Sequence, residues 1–305
     1  MSECSCDVLL GNQGTPNCVP GHGVAKRLWQ VPLKADDGTE FSIDPAALPN
    51  DAEIIALINQ ADKSKAVYPS ALFETITQTN ADAVTEEFDS GSVEFVRDGI
   101  RSVEGVVTKS GKASPALVGQ MEANRCTDFG VYLLDDCNNL VGRKKGDGLL
   151  YPFRVQSGSW IPQYIPATDT TSAKVQLNFN FTSLFKDKNI DFVTFADDID
   201  LLGYGGLLDV VLTATNPTTT GADINAVTIY GSANARRPIT GLDAGGADVT
   251  LFNNDTVLSV AVTSFNPGAN DGDYVLVFPA QGGGESLTLT IAKDGLDSDS
   301  VTFTV

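Results

Sequence analysis

The residues able to carry chemistry in this chain are few, and their spacing suits none of the common reactions. His22 is the single histidine among 305 residues. It lies in the loop Pro20-Gly21-His22-Gly23, with no serine or cysteine in an elbow context and no Gly-x-Ser-x-Gly anywhere to partner it. A lone histidine in a glycine-proline loop reads as a loop residue. Cys4 and Cys6, with Cys18 and His22, offer metal-ligand chemistry, but the paired Cys-x-x-Cys spacing and the fourth ligand of structural zinc are missing. With Cys126 and Cys137 the cysteines number five, an odd count for a disulfide framework. Reduced thiols are the simpler expectation. No Gly-x-x-x-x-Gly-Lys-Ser/Thr or Gly-x-Gly-x-x-Gly follows a strand pattern, and Gly203-Tyr204-Gly205-Gly206 precedes one instead, as a linker would.

Two acidic clusters could present oxygens to calcium: Asp197-Asp198-Ile199-Asp200 and Asn270-Asp271-Gly272-Asp273. Neither has the register of a calcium-binding loop with its later glutamate, and Asn270-Asp271-Gly272 is better explained as a hairpin turn. Paired carboxylates for glycoside hydrolysis are defined by spatial rather than sequence spacing. Only 2 Trp and 7 Tyr are present to line a sugar cleft. The expectation is a protein that is not an enzyme, with no catalytic residue, no metal and no cofactor.

Charge narrows the partners. The chain has 39 acidic and 20 basic residues, a net charge of −19, so it repels phosphate backbones rather than binding them. Nucleic acid could still pass an acidic wall without adhering. The start, Met1-Ser2-Glu3-Cys4-Ser5-Cys6, has no secretory pattern, and no apolar run approaches a bilayer span. This suggests a protein kept in a cytoplasm until it assembles, with no membrane partner.

The elements that would position any site divide the chain in three. Residues 1–33 are rich in Gly, Pro and Asn and read as an extended arm. Residues 34–203 hold strands and two helix signals. Asn50 with Glu53 caps a helix whose apolar face is Ile54, Ile55, Leu57 and Ile58. Ser114-Pro115 starts another, carrying Leu117, Val118 and Met121. Strands are expected at 84–88, 93–97, 102–108, 129–134, 149–156 and 174–181, the last alternating apolar and polar residues cleanly. Residues 207–305 hold 11 acids and 3 bases. Seven short Val/Thr/Leu runs recur there at turn-spaced intervals, the arithmetic of an immunoglobulin-like sandwich.

The order of an arm, a long loop, strands around one capped helix (114–123) and an acidic all-β remainder is similar to tail tube proteins of tailed bacteriophages. The segments 86–105, 114–141 and 151–181 also resemble virion structural proteins of phages infecting Bacteroidetes. Residues 207–305, with Pro238-Ile239-Thr240-Gly241-Leu242 before a strand, resemble bacterial immunoglobulin-like domains of surface and virion proteins. The fold so implied is mainly β: a tail-tube-like β-sandwich with one flanking helix, plus an immunoglobulin-like β-sandwich.

The resemblance implies six copies per ring, stacked rings, a location in the virion and contacts with other virion proteins. DNA would pass through the lumen without specific binding. The hairpin 83–97 would then form the wall, with Glu86, Glu87 and Glu94 facing the lumen and Phe88 and Phe95 packing between subunits. An ordinary surface hairpin is the plain alternative. At the level of the whole chain, a capsid decoration or other head-associated protein, or a carbohydrate-binding or adhesive module, would also fit.

Overall fold

The computed structural model describes residues 23–47, 50–182, 189–196, 199–230, 232–243, 248–293 and 295–305. Cys4, Cys6, Cys18, His22, Asp197 and Asp198 lie outside the described residues. The chain is mainly β, as its sequence leads one to expect. The N-terminal elements are β1 (Ala25–Pro32), α1 (Asp51–Ile58), β2 (Tyr68–Pro69), β3 (Thr75–Asn80), β4 (Val84–Glu87), β5 (Val93–Arg97) and β6 (Arg101–Val107). Then come α2 (Pro115–Ala123), β7 (Phe129–Asp135), β8 (Asn139–Lys144), β9 (Leu150–Tyr151), β10 (Phe153–Arg154), β11 (Ile161–Ile165), β12 (Lys174–Asn180) and β13 (Ile190–Thr194). The C-terminal strands are β14 (Asp209–Thr218), β15 (Gly221–Tyr230), β16 (Ser232–Pro238), β17 (Val249–Asn253), β18 (Leu258–Val260), β19 (Ser264–Pro267), β20 (Asp273–Val277), β21 (Ser286–Ile291) and β22 (Asp299–Thr304).

The first sheet runs β13-β8-β7-β1-β2, with β9 and β10 paired onto β8 and β7; the second runs β11-β12-β6-β3. Their facing side chains form one core, in which Leu28, Val131 and Leu133 meet Val103, Val175, Leu177 and Phe179, with Leu117 and Met121 of α2 closing its end. The opposite face of the first sheet is also buried. Trp29, Val31, Tyr132 and Leu134 pack there against Ile54 and Ile58 of α1 and against Phe41 and Ile43. Two covered faces explain why every residue of β7 is buried, whereas β12 alternates strictly between buried and half-buried.

This arrangement corrects the reading of residues 1–33 as one extended arm. Ala25–Pro32 is β1, paired with β7 over seven positions and buried along almost its whole length. A strand buried on both faces has no polar alternation to reveal it. The expected strand at 149–156 is interrupted at Pro152, which lacks a ladder donor. The helix starts behave as their caps require. Asn50 accepts hydrogen bonds from the backbone N–H groups of Ala52 and Glu53, and Ser114 accepts one from that of Leu117.

Among the described residues, nine strands rather than seven make up the C-terminal part. The expected run 258–265 is broken into β18 and β19, and β16 is additional. They form two sheets, β14-β15-β20-β19 with β16 on β15, and β18-β17-β21-β22. Between them Ile224, Leu251, Leu276, Leu287 and Leu289 form a separate core. The stretch between the two parts is pinned rather than loose. Arg27 Nη1 donates to the Tyr204 carbonyl, the Tyr204 hydroxyl donates to Asp51, and Lys63 pairs with Asp297 at 2.5 Å. Leu208 forms a parallel bridge with Leu296. Burial and the Asp51 carboxylate push the Tyr204 phenol well above its ordinary range.

Trp29 is fully buried, and its indole N–H has no partner among the described residues. Trp29→Ala is expected to cost about 3–5 kcal/mol by urea denaturation. Trp29→Phe, which keeps a ring and removes the unpaired donor, should cost less than half as much.

Candidate assembly hairpin

β3 and β6 pair over six positions in the second sheet and then continue outward as a second, detached ladder, β4–β5. The neck between the ladders keeps one backbone bond, Ala81 N–H to the Ile100 carbonyl at 2.9 Å. At the neck the chains approach so closely that a Cβ on Gly99 would lie 1.7 Å from the Ala81 carbonyl oxygen. Only glycine fits there. At the tip, Phe88 N–H donates to the Ser92 carbonyl at 2.9 Å and Gly91 N–H to the Phe88 carbonyl at 2.7 Å. Gly91 takes φ +76°, so Asp89-Ser90-Gly91 is a three-residue hairpin loop with glycine at the left-handed position.

Every residue of β4 and β5 is exposed. Phe88 is 42%, Val93 62%, Phe95 58% and Val96 54% exposed, which concentrates apolar side chains on an element that no described layer covers. An isolated two-stranded hairpin is at best marginally stable in water, so an apolar one gains most from a partner surface. The surrounding sequence is also uniformly acidic. From Ala66 to Val96 there are six carboxylates and no base.

Register distributes the sequence-derived site residues over two faces. Glu86 pairs directly with Glu94, while Glu87 pairs with Val93 and Thr85 with Phe95. Strand alternation therefore puts Glu87 on the face opposite Glu86 and Glu94. The expected trio of lumen-facing carboxylates does not share one surface, and Phe88 and Phe95 lie on opposite faces as well. A bulge at Val96 then brings Arg97 opposite Val84, on the Glu86–Glu94 side. Alternation within one strand cannot reveal that shift.

Elsewhere, one group of potential metal ligands converges among the described residues: Asp135, Asp136 and Cys137. Three of its four carboxylate oxygens are already used. Asp135 accepts from the backbone N–H groups of Gly23, Cys137 and Asn139 and from the Asn139 amide, and Asp136 accepts from Val24 N–H. The cluster ties the start of β1 to the β7–β8 turn. Desolvation, then the Asp136 and Asp135 carboxylates, raise the Cys137 thiol above its ordinary pKa, which disfavours the reactive thiolate. Cys126 and Cys137 are both free and exposed. Asn270–Gly272 is a turn joining β19 to β20, with Gly272 at φ +83°.

Carboxylates directly opposite on a strand pair repel. Glu86→Gln should therefore raise amide-exchange protection across β4–β5 in the unassembled protein, by up to about fivefold for a gain of about 0.2–1 kcal/mol. The difference should shrink in high salt. Comparison of the chain with protein-family models, curated proteins and solved structures finds no match.

Proposed function

We propose that this protein is a virion structural subunit of the tail-tube kind, assembling with its own copies into stacked, six-membered rings through the β4–β5 hairpin. The observation that carries the reading is the hairpin itself, projecting from the sandwich with apolar side chains on both faces and no described residue covering either. Pairing it with the next subunit would satisfy its free backbone edges, and packing its other face would bury Phe95 and Val93, leaving Phe88 on the Glu86–Glu94 side. With one face packed between subunits, the Glu86–Glu94 face suits the lumen. Acid at that position keeps a passing DNA phosphate backbone from adhering.

A second reading has its own observation. The β17–β18 turn exposes Val257 (70%) and Leu258 (64%), and Val257 takes φ +57°, a strained choice for a β-branched residue. Apolar groups held in strain at a sandwich tip suit an adhesive module, acting alone or as an appendage to the assembly.

Negative-stain microscopy of the purified chain should show rings or tubes. Phe95→Asp should leave a monomer with an unchanged melting profile. Monodisperse wild-type monomers would favour the adhesive reading. Glu86→Lys with Glu94→Lys should assemble yet slow DNA passage, and normal delivery by that variant would remove these carboxylates from the channel wall. Leu258→Asp should not affect assembly.

A further inference from the structure

Between the two parts of the molecule lies a cleft of about 340 Å³ that contains a buried cation lacking a carboxylate partner. Arg27 lines it, at 8% exposure. The strand register shifts between Ala25 and Arg27, a β-bulge of the kind that re-aims side chains. Arg27 Nη1 is held by the Tyr204 carbonyl, but Nε has no hydrogen-bond partner among the described residues, and no described carboxylate lies within ion-pair distance of the guanidinium. Burial lowers its pKa, and the charge of Asp200 only partly opposes this. A guanidinium largely out of water with no carboxylate in contact costs several kcal/mol. In a chain of net charge −19 a carboxylate at this position would be easy to supply. None is in contact, so the charge of Arg27 is balanced only in part, by Asp200, where it borders the cleft.

The rest of the cleft matches such a ligand. Lys112 stands on its lining at φ +63°, a left-handed backbone uncommon for lysine, and adds a second positive charge. Leu72, Leu117 and Leu208 provide apolar walls, and Tyr230 reaches in from the C-terminal sandwich. Polar anchors within a mostly apolar concavity of this size are the usual composition of a small-molecule site.

We propose that this cleft binds a small organic carboxylate, its charged end on Arg27 with Lys112 nearby and its apolar body against the leucines. The ligand would bridge the two parts of the chain, since Leu208 and Tyr230 belong to the C-terminal side and Arg27, Leu72 and Leu117 to the N-terminal side. The site is separate from the hairpin and does not depend on assembly.

The test uses the full chain at fixed pH and ionic strength, with sodium butanoate, inorganic phosphate and sodium chloride as probes. Saturation-transfer NMR should show butanoate methyl signals, and the melting temperature should rise saturably with butanoate and not with chloride. Arg27→Lys keeps the charge but loses the planar fork, and should weaken butanoate binding roughly tenfold or more. If Arg27 variants do not fold, the exposed Lys112→Gln should weaken it about threefold while leaving the unliganded melting temperature unchanged. Butanoate indistinguishable from chloride, preference for phosphate over butanoate, or binding unaffected in a folded Arg27→Lys or Lys112→Gln variant would each overturn the proposal.

Discussion

Burial of the first sheet on both faces is the constraint on which the N-terminal part depends. One face meets the second sheet and α2, the other meets α1 and the loop carrying Phe41 and Ile43. A strand in that position must supply apolar groups in both directions, as β1 does with Leu28 one way and Trp29 and Val31 the other. Polar groups are tolerated only where they find partners, so Gln30 accepts from the Asn124 side-chain amide at the end of α2. The second sheet is covered on one face only. It can therefore run β3 and β6 beyond the core as a hairpin, an extension that a layer enclosed on both sides could not make.

What the sequence revealed follows the same division. Elements with one wet face were legible: β12 through strict alternation, α1 and α2 through their caps, and the hairpin through Asp-Ser-Gly between two strand-like runs. β1 was not, because Lys26-Arg27-Leu28-Trp29-Gln30-Val31 shows neither a period of two nor a continuous apolar run, and its burial depends on partners far along the chain. The composition of the hairpin was visible, but its surface was not. Pairing Glu86 with Glu94 is a matter of register, and the position of Arg97 is a matter of one extra residue at Val96. The buried guanidinium of Arg27 was hidden for a related reason, since its isolation depends on which carboxylates the fold keeps away from it.

Charge and burial act on different parts of this molecule. Most of its acids lie at the surface, where repulsion is screened and contributes to solubility more than to fold. The acids that matter structurally are those enclosed by backbone donors, above all Asp135, which is almost fully buried and accepts three main-chain N–H groups and one side-chain amide. That single side chain organises the β7–β8 turn and fixes where the chain enters β1.

The continuity of β3 and β6 with the hairpin also sets how the molecule bears force. A pull on the tip along the strand direction is perpendicular to the hydrogen bonds of the core ladders, so it loads them in shear. β3 and β6 are drawn the same way, so the load falls on the six residue pairs between β6 and β12, which must yield together. The neck at Ala81 and Gly99, where a single backbone bond spans the gap, carries the same tension with far less resistance. Under tension, then, the hairpin acts as a tether that straightens at its neck while the sandwich holds its shape.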